Sequence, residues 1–455
     1  MFKREQLEEE ITMKRFDVII IGSGPGGMAA AYDLASEGNE VAVVEADLWG
    51  GTCPNRGCDP KKVLYGVVEA KDNLAQLQNR GFNSVPKINW AELMGFKETF
   101  TKPVPTEQKK GLINSGIQTI TGRAVFKDKQ TILVESTEYQ ADKFILATGQ
   151  RPAILDIPGK EYFGTSTDFL SMKELPAKIA FVGGGYISLE LANIANSCGS
   201  EVHLLHHNQR PLKGFDEALT SELIGNLEQR GIHFHFNESA ETLTKQGRQF
   251  KVELTNQGSL IVDRVFCATG RIPNLENMGL EKIGVEYAHK GVNVNDHLQT
   301  TVETIYALGD CLQKNEPKLT PVSSFEGSYL AKLFTGSVQE AIDYPAIPTI
   351  IFSSPKLAQV GLTDDKTVAN DNYEVKELDL SHWFTYKHLN ESLVKAKIVS
   401  EKATGLLVGA TVLGNEADQL INLFTVMINQ KLAANKVNSM IMLYPTVASD
   451  LSYLY

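Results

Sequence analysis

The chain has 455 residues, of which 42% are hydrophobic and 22% charged, with a formal net charge of −11. That length accommodates roughly two to four domains of ordinary size. The acidic balance speaks against a nucleic-acid or anionic-membrane surface, and no apolar run approaches the roughly 20 residues that span a bilayer.

The N-terminus, "MFKREQLEEEITMKRF", is charged and lacks the apolar core of a secretory signal. Met13 fits a start site, with residues 1–12 as an extension. Five cysteines, Cys53, Cys58, Cys198, Cys267 and Cys311, are too few for a disulfide scaffold and fit a reducing, cytoplasmic setting.

The first element is the apolar run Val18–Ile21, which predicts a buried parallel strand. Gly22, Gly24 and Gly27 come next, then a helical pattern from Met28 to Ser36, a stop at Gly38, and a second strand, Val41–Val44, ending at Glu45. Strand, GxGxxG, helix, strand and acid together form a dinucleotide-binding fingerprint. Gly22 permits the tight turn, Gly24 lets the backbone approach a pyrophosphate, and Gly27 lets helix and strand pack closely. The helix N-terminus offers N–H groups and partial positive charge to phosphates. Glu45 suits a ribose 2′-OH.

Next comes "GGTCPNRGCDPKK", Gly50–Lys62. Cys53 and Cys58 read as a redox couple, half a metal site, or two inert thiols. The metal reading lacks support, since structural zinc prefers CxxC pairs with two further ligands and no second cysteine pair occurs. Cys198, Cys267 and Cys311 sit in apolar or helical contexts and read as buried thiols.

A second fingerprint opens at Lys178. Gly183 and Gly185 match the first two glycines, and Ser188 replaces the third. The strand Glu201–Leu205 ends in a tract carrying His206, His207, Arg210 and Lys213 instead of an acid. Cations there suit a 2′-phosphate and favour NADPH over NADH. Two nucleotide folds in one chain suggest a flavin in one and a nicotinamide in the other. "KFILATGQRP" (143–152) and "RVFCATGRIPN" (264–274) predict strands ending in Ala-Thr-Gly, and "TIYALGDC" (304–311) a strand ending in Gly309-Asp310. After Pro345 come short strand-like runs and helical patterns around Asp418–Asn429 and Asn438–Leu443, which read as an α+β module.

These motifs in combination, with "GGGYISLE" and the "LTPV" of Leu319–Val322, resemble the class I pyridine nucleotide–disulfide oxidoreductases from about Phe16 to the C-terminus. "PKK" and "HLLHHNQRPLKGFD" are most similar to the glutathione reductase branch. The resemblance implies an α/β chain with two Rossmann-like domains and an α+β dimerisation domain. The expected bounds are 14–155 with 271–338 for FAD, 156–270 for NAD(P), and 339–455 for the interface. It implies a homodimer with shared active sites and a small-molecule or protein disulfide as substrate. Gly22, Gly24, Gly27, Glu45, Thr52, Thr148, Gly149, Gly309, Asp310 and Thr320 are expected at FAD. Gly183, Gly185, Ser188, His207, Arg210, Lys213 and Gly270 are expected at NAD(P). Cys53 and Cys58 become a redox-active disulfide, with Cys58 nearer the flavin and Cys53 facing substrate. Lys62 is expected to pair with Glu190. Arg56, the lysine and a helix N-terminus supply the positive potential a thiolate needs.

The chain departs from the family pattern at three places. Asp59 stands where an apolar residue is usual. In "LYPTVASD", Tyr444 occupies the place of the family's acid/base histidine and Ser449 that of its glutamate. No histidine occurs after His388. A phenol is a poor base at neutral pH, so an acceptor other than a disulfide, such as a quinone, a metal ion or a reactive electrophile, is the alternative expectation.

Overall fold

The computed structural model describes residues 14–256, 258–363 and 369–455. The N-terminal extension and Met13 lie outside them. The chain divides into two compact units. The first takes the chain up to Asn55, Lys102–Arg151 and Ile272–Ile342; the second takes Arg56–Thr101, Pro152–Arg271 and Asp343 onward. No helix among the described residues is long and apolar enough to cross a membrane.

The first unit is built on a parallel sheet in the order Gln118–Thr121, Val41–Glu45, Lys14–Ile21, Thr137–Leu146. Ile305–Ala307 pairs in parallel with the end of Thr137–Leu146, and Thr131–Val134 pairs antiparallel with its start. Ile19 and Ile20, Ala42 and Val43, and Phe144 and Ile145 are fully buried, which is why these strands read as continuous apolar runs rather than alternating ones. Ile21 lies opposite both Val44 and Leu146, and Leu146 opposite Ala307. This register levels the carboxyl ends, so the glycine turn, Glu45, Ala147-Thr148-Gly149 and Gly309-Asp310 gather along one edge of the sheet. The helix Pro25–Ser36 packs on the helix Thr320–Phe334 at glycine contacts: a Cβ on Gly327 would stand 2.3 Å from the Gly26 carbonyl oxygen.

The second unit repeats the device. Its parallel sheet runs Ile232–Phe236, Glu201–His206, Lys178–Val182, Arg264–Cys267, with Val182 level with Leu205 and Cys267. The helix Cys58–Gln76 belongs to this unit. It buries Leu64, Tyr65 and Val68 in a core shared with Leu189, Ala192 and Phe181. The C-terminal part is an antiparallel sheet in the order Thr349–Ile351, Lys356–Gly361, Leu407–Gly414, Lys395–Glu401, Tyr373–Asp379, covered by the helix Ala417–Asn429. Lys356 ties it to the helix Cys58–Gln76, with Glu69 at 2.5 Å and Asp418 at 3.0 Å.

One sequence expectation fails here. Residues 439–443 are not helical; a short helix, Ala434–Asn438, ends where the expected one would begin. Pro445 disfavours helix at the residue before it. Met440, Ile441 and Leu443 are exposed, so no packed core supports a helical turn.

Glu391 is buried at 4% exposure, and its Oε1 accepts from the Asn415 N–H at 2.5 Å. Burial pushes its carboxyl up from an ordinary value near 4.5 to about 7. A raised folded-state pKa contributes stability that is complete below the unfolded value and is lost as pH climbs through about 7. Glu391→Gln keeps an oxygen for Asn415 and removes that loss. At pH 8 urea denaturation is expected to find the variant more stable by up to about 3 kcal/mol, and at pH 4 no more stable than the parent.

Candidate functional site

The first glycine turn is shaped by backbone contact. Gly22 has φ +115°, and a Cβ there would stand 2.2 Å from the Ala147 carbonyl oxygen. A Cβ on Gly27 would meet the Gly22 carbonyl oxygen at 2.1 Å. Nothing comes within 4 Å of a Cβ on Gly24, the N-cap of the helix Pro25–Ser36. The helix N-terminus therefore opens on free space with its N–H groups unscreened by side chains, as a pyrophosphate needs. Gly51, at φ +68°, backs this turn, its own Cβ direction ending 2.7 Å from Gly24 Cα. Glu45 is 8% exposed; Oε2 accepts from Ser23 N–H (3.0 Å) and Oγ (2.6 Å), and Oε1 from Asp47 N–H (2.8 Å). It holds the turn while keeping acceptor capacity for a hydroxyl.

Asn274 fixes the Ala-Thr-Gly end, donating from its side chain to Thr148 O at 2.9 Å and from its backbone to Gly149 O at 3.0 Å. Gly309 donates its N–H to Glu326 at 2.6 Å. Glu326 is fully buried and paired with Lys314, and Lys318 donates to the Asp310 carbonyl at 2.8 Å. Sequence reasoning singled out none of Glu326, Lys314 and Lys318. Glu326 was visible only as an acid on an otherwise apolar helix face. Thr320 opens the helix Thr320–Phe334. This edge fits an extended dinucleotide such as FAD, with the helix N-terminus at its phosphates and Glu45 and Asp310 available to its hydroxyls.

Cys53 is the second residue of the short helix Thr52–Arg56. Cys58 is the first residue of the 19-residue helix Cys58–Gln76. Both are half-buried. A thiol at the first position of a long helix feels its N-terminal potential, which favours thiolate. Asp59 is exposed, so its carboxylate faces water.

The expected lysine partner of Glu190 requires correction. Lys61, not Lys62, makes the ion pair, at 2.6 Å, with side-chain exposures of 14% and 2%. Glu190 sits on the helix Tyr186–Ser197, and its other oxygen accepts from the Phe352 N–H at 3.0 Å. The reason is helical phase. Residue 61 lies three positions after Cys58 and shares a face with buried Leu64, Tyr65 and Val68; residue 62 is turned a further 100°. Lys62 is exposed and lays its ammonium over the Phe352 ring, 3.9 Å from the centroid.

The second turn repeats the first. Gly183 has φ +121° with a would-be Cβ 2.3 Å from the Ala268 carbonyl oxygen, Gly185 has nothing within 4 Å, and Ser188 is buried at the third position. Gly270, at φ +145°, lies three residues past the end of the strand Arg264–Cys267. His206 takes the place Glu45 has in the first unit. Its Nε2 is 3.0 Å from the Arg210 carbonyl, and a Cβ on Gly184 would strike its ring at 2.5 Å. His207 and Lys213 are exposed. Arg210 is engaged, with Glu217 at 2.9 Å and the Phe215 carbonyl at 2.5 Å, so it braces the tract.

At the C-terminal motif, Ser449 closes a capping box. Its N–H donates to Thr446 Oγ1 at 3.3 Å and its hydroxyl to Thr446 O at 2.6 Å. It serves its own turn and orients nothing at residue 444. Asp450 is buried. Tyr444 is 65% exposed and stacks on Phe384. Cys267 and Cys311 are buried, and burial pushes the half-buried Cys198 thiol up to about 12. No group of three His, Cys, Asp or Glu side chains suited to a metal ion occurs among the described residues.

The lysine assignment is testable by stability. Lys61→Ala leaves Glu190 buried without its cation and is expected to cost about 3 kcal/mol in urea denaturation. Lys62→Ala is expected to cost under about 1 kcal/mol. The reverse ranking would restore the pairing read from the sequence.

Comparison with known proteins agrees with this geometry. Residues 16–327 match the pyridine nucleotide-disulphide oxidoreductase family, and residues 347–454 match the dimerisation domain of the same family. The chain is 34% identical over 452 residues to a chloroplastic/mitochondrial glutathione reductase of Pisum sativum, covering 96% of this chain and 81% of the relative. It is 29% identical to a glutathione reductase of Nostoc sp. (96% and 98% covered) and 29% identical to one of Burkholderia cepacia (96% and 97%). Two glycine turns of one design, a cysteine pair on successive helix starts, and matches over both parts of the chain lead to one assignment: the chain belongs to the pyridine nucleotide–disulphide oxidoreductases, whose glutathione reductase branch uses FAD and NADPH.

Proposed function

We propose that the protein is a homodimeric, NADPH-dependent reductase of a low-molecular-weight disulfide of the glutathione type, with Cys53 and Cys58 as its dithiol and a cytoplasmic setting. FAD, when held at the strand ends of the first unit, would supply the two-electron transfer between nicotinamide and dithiol. The net reaction is NADPH + H⁺ + RSSR → NADP⁺ + 2 RSH. The observation that carries the reading is Cys58 at the first position of a long helix, with Lys61 on the same face and held by Glu190. That arrangement favours thiolate at Cys58 and keeps a fixed cation one turn away. The relatives named glutathione reductase support the choice of disulfide.

A second reading rests on Tyr444. A phenol where the family has an imidazole suits an acceptor that needs no proton from that position, such as a quinone, an oxidised metal ion or a reactive electrophile. Anaerobic titration with NADPH, and then with oxidised glutathione, separates the two. The first reading expects long-wavelength thiolate–flavin absorbance after one equivalent of NADPH, its loss on adding oxidised glutathione, and abolition of disulfide turnover in Cys53→Ser. Turnover confined to quinone or Cu(II), and preserved in Cys53→Ser, would establish the second.

A further inference from the structure

Gln359 and Lys397 lie on different strands of the C-terminal sheet but in one row, because each pairs with Thr411 of the strand between them. Paired residues of antiparallel strands show their side chains on one face, and Lys395, two residues before Lys397, shares it. All three reach the second nucleotide fold. The half-buried Gln359 side chain clamps one stretch of backbone at two points: Nε2 donates to the Gly214 carbonyl at 2.7 Å, and Oε1 accepts from the Asp216 N–H at 3.3 Å. Lys397 donates to Asp216 Oδ2 at 2.8 Å, with side-chain exposures of 8% and 0%. Asp216 Oδ1 caps the helix Glu217–Gln229, accepting from the Leu219 N–H at 2.9 Å. Lys395 pairs with Glu222 of that helix at 2.5 Å.

These contacts fall on the far end of the cationic tract that begins at His206. The middle of the tract is tied to the second glycine turn, where the Leu212 N–H donates to the Gly184 carbonyl at 2.9 Å. Leu212 has φ +50°, a left-handed conformation that a leucine keeps only where its surroundings over-determine it. The exposed Lys213 stands between Leu212 and Gly214. Its backbone is therefore fixed on both sides, by the glycine turn before it and by Gln359 after it.

We propose that Gln359 and Lys397 are positioning residues for the 2′-phosphate of NADPH: the C-terminal sheet holds residues 212–216 in place and so presents Lys213 to that phosphate. The inference rests on the NADPH reading above. An exposed loop that must order itself around an arriving anion loses affinity to that ordering, and a loop set beforehand does not. Here a buried ion pair and a two-point amide clamp do the setting, from outside the nucleotide fold. The sheet lies in the part of the chain matched to the dimerisation domain. That part thereby acquires a second task, the choice between phosphorylated and unphosphorylated dinucleotide.

The test is calorimetric titration of full-length, FAD-loaded protein with adenosine 2′,5′-bisphosphate and with 5′-AMP, together with stopped-flow reduction of the flavin by NADPH. In Gln359→Ala and in Lys397→Met the Kd for the bisphosphate is expected to rise about 10-fold, and that for 5′-AMP to change by less than about 2-fold. The NADPH concentration for half-maximal flavin reduction is expected to rise in parallel, with the limiting rate unchanged. Gln359→Ala uncovers no buried charge and decides the question by itself should Lys397→Met not fold. Bisphosphate affinity at the wild-type value in Gln359→Ala would overturn the proposal. So would an equal loss for both ligands, which marks a general loosening of the fold. Wild-type protein that binds the bisphosphate no tighter than 5′-AMP would remove the NADPH reading itself, and the positioning role with it.

Discussion

Glu190 has one oxygen on the Lys61 ammonium and the other on the Phe352 N–H, in a place where the carboxylate is almost wholly shielded from water. An ion pair so placed returns little net stability, since desolvating both charges cancels much of their attraction. What it does is make three segments mutually dependent. The helix that begins at Cys58, the helix that begins at the second glycine turn, and the strand entering the C-terminal sheet are fixed to one carboxylate. Loss of any contact leaves a charge or an N–H stranded in the interior. The thiol-bearing helix is therefore oriented by the nucleotide-binding segment rather than by its own apolar face alone.

The glycine-turn edges and the C-terminal motif are built in different ways. The glycine turns sit at level strand ends, where parallel register and buried aliphatic rows hold them. Tyr444 and its ring neighbour Phe384 are exposed, on short turns held by ring contacts and caps. Strand-end geometry is dictated by packing of the whole sheet, whereas residues on exposed turns can change with little effect on the core. Two of the three departures from the family pattern, Tyr444 and Ser449, fall on the second kind of position, whereas Asp59 lies on the helix Cys58–Gln76.

Both nucleotide turns were legible from residue type and spacing, because glycine position and apolar runs encode them locally. The buried support of Gly309 by Glu326 and Lys314 was not legible, because it depends on which face of a helix a lone acid occupies. The exchange of Lys61 for Lys62 has the same origin: adjacent lysines are alike in composition, and only helical phase counted from Cys58 distinguishes them. Arg210 reads as a phosphate ligand in sequence, and its pairing with Glu217 was not legible because that acid lies seven residues on.

The contacts of Gly22 with Ala147 O and of Gly183 with Ala268 O are both backbone against backbone. A clash with a side chain can be relieved by trimming that side chain, but a carbonyl oxygen is present whatever residue bears it. No substitution elsewhere in the chain can make room for a Cβ at either glycine, so genetic suppressors of such a change would be confined to the codon itself. These two positions are closed to compensatory drift in a way that the charged and aromatic residues around them are not.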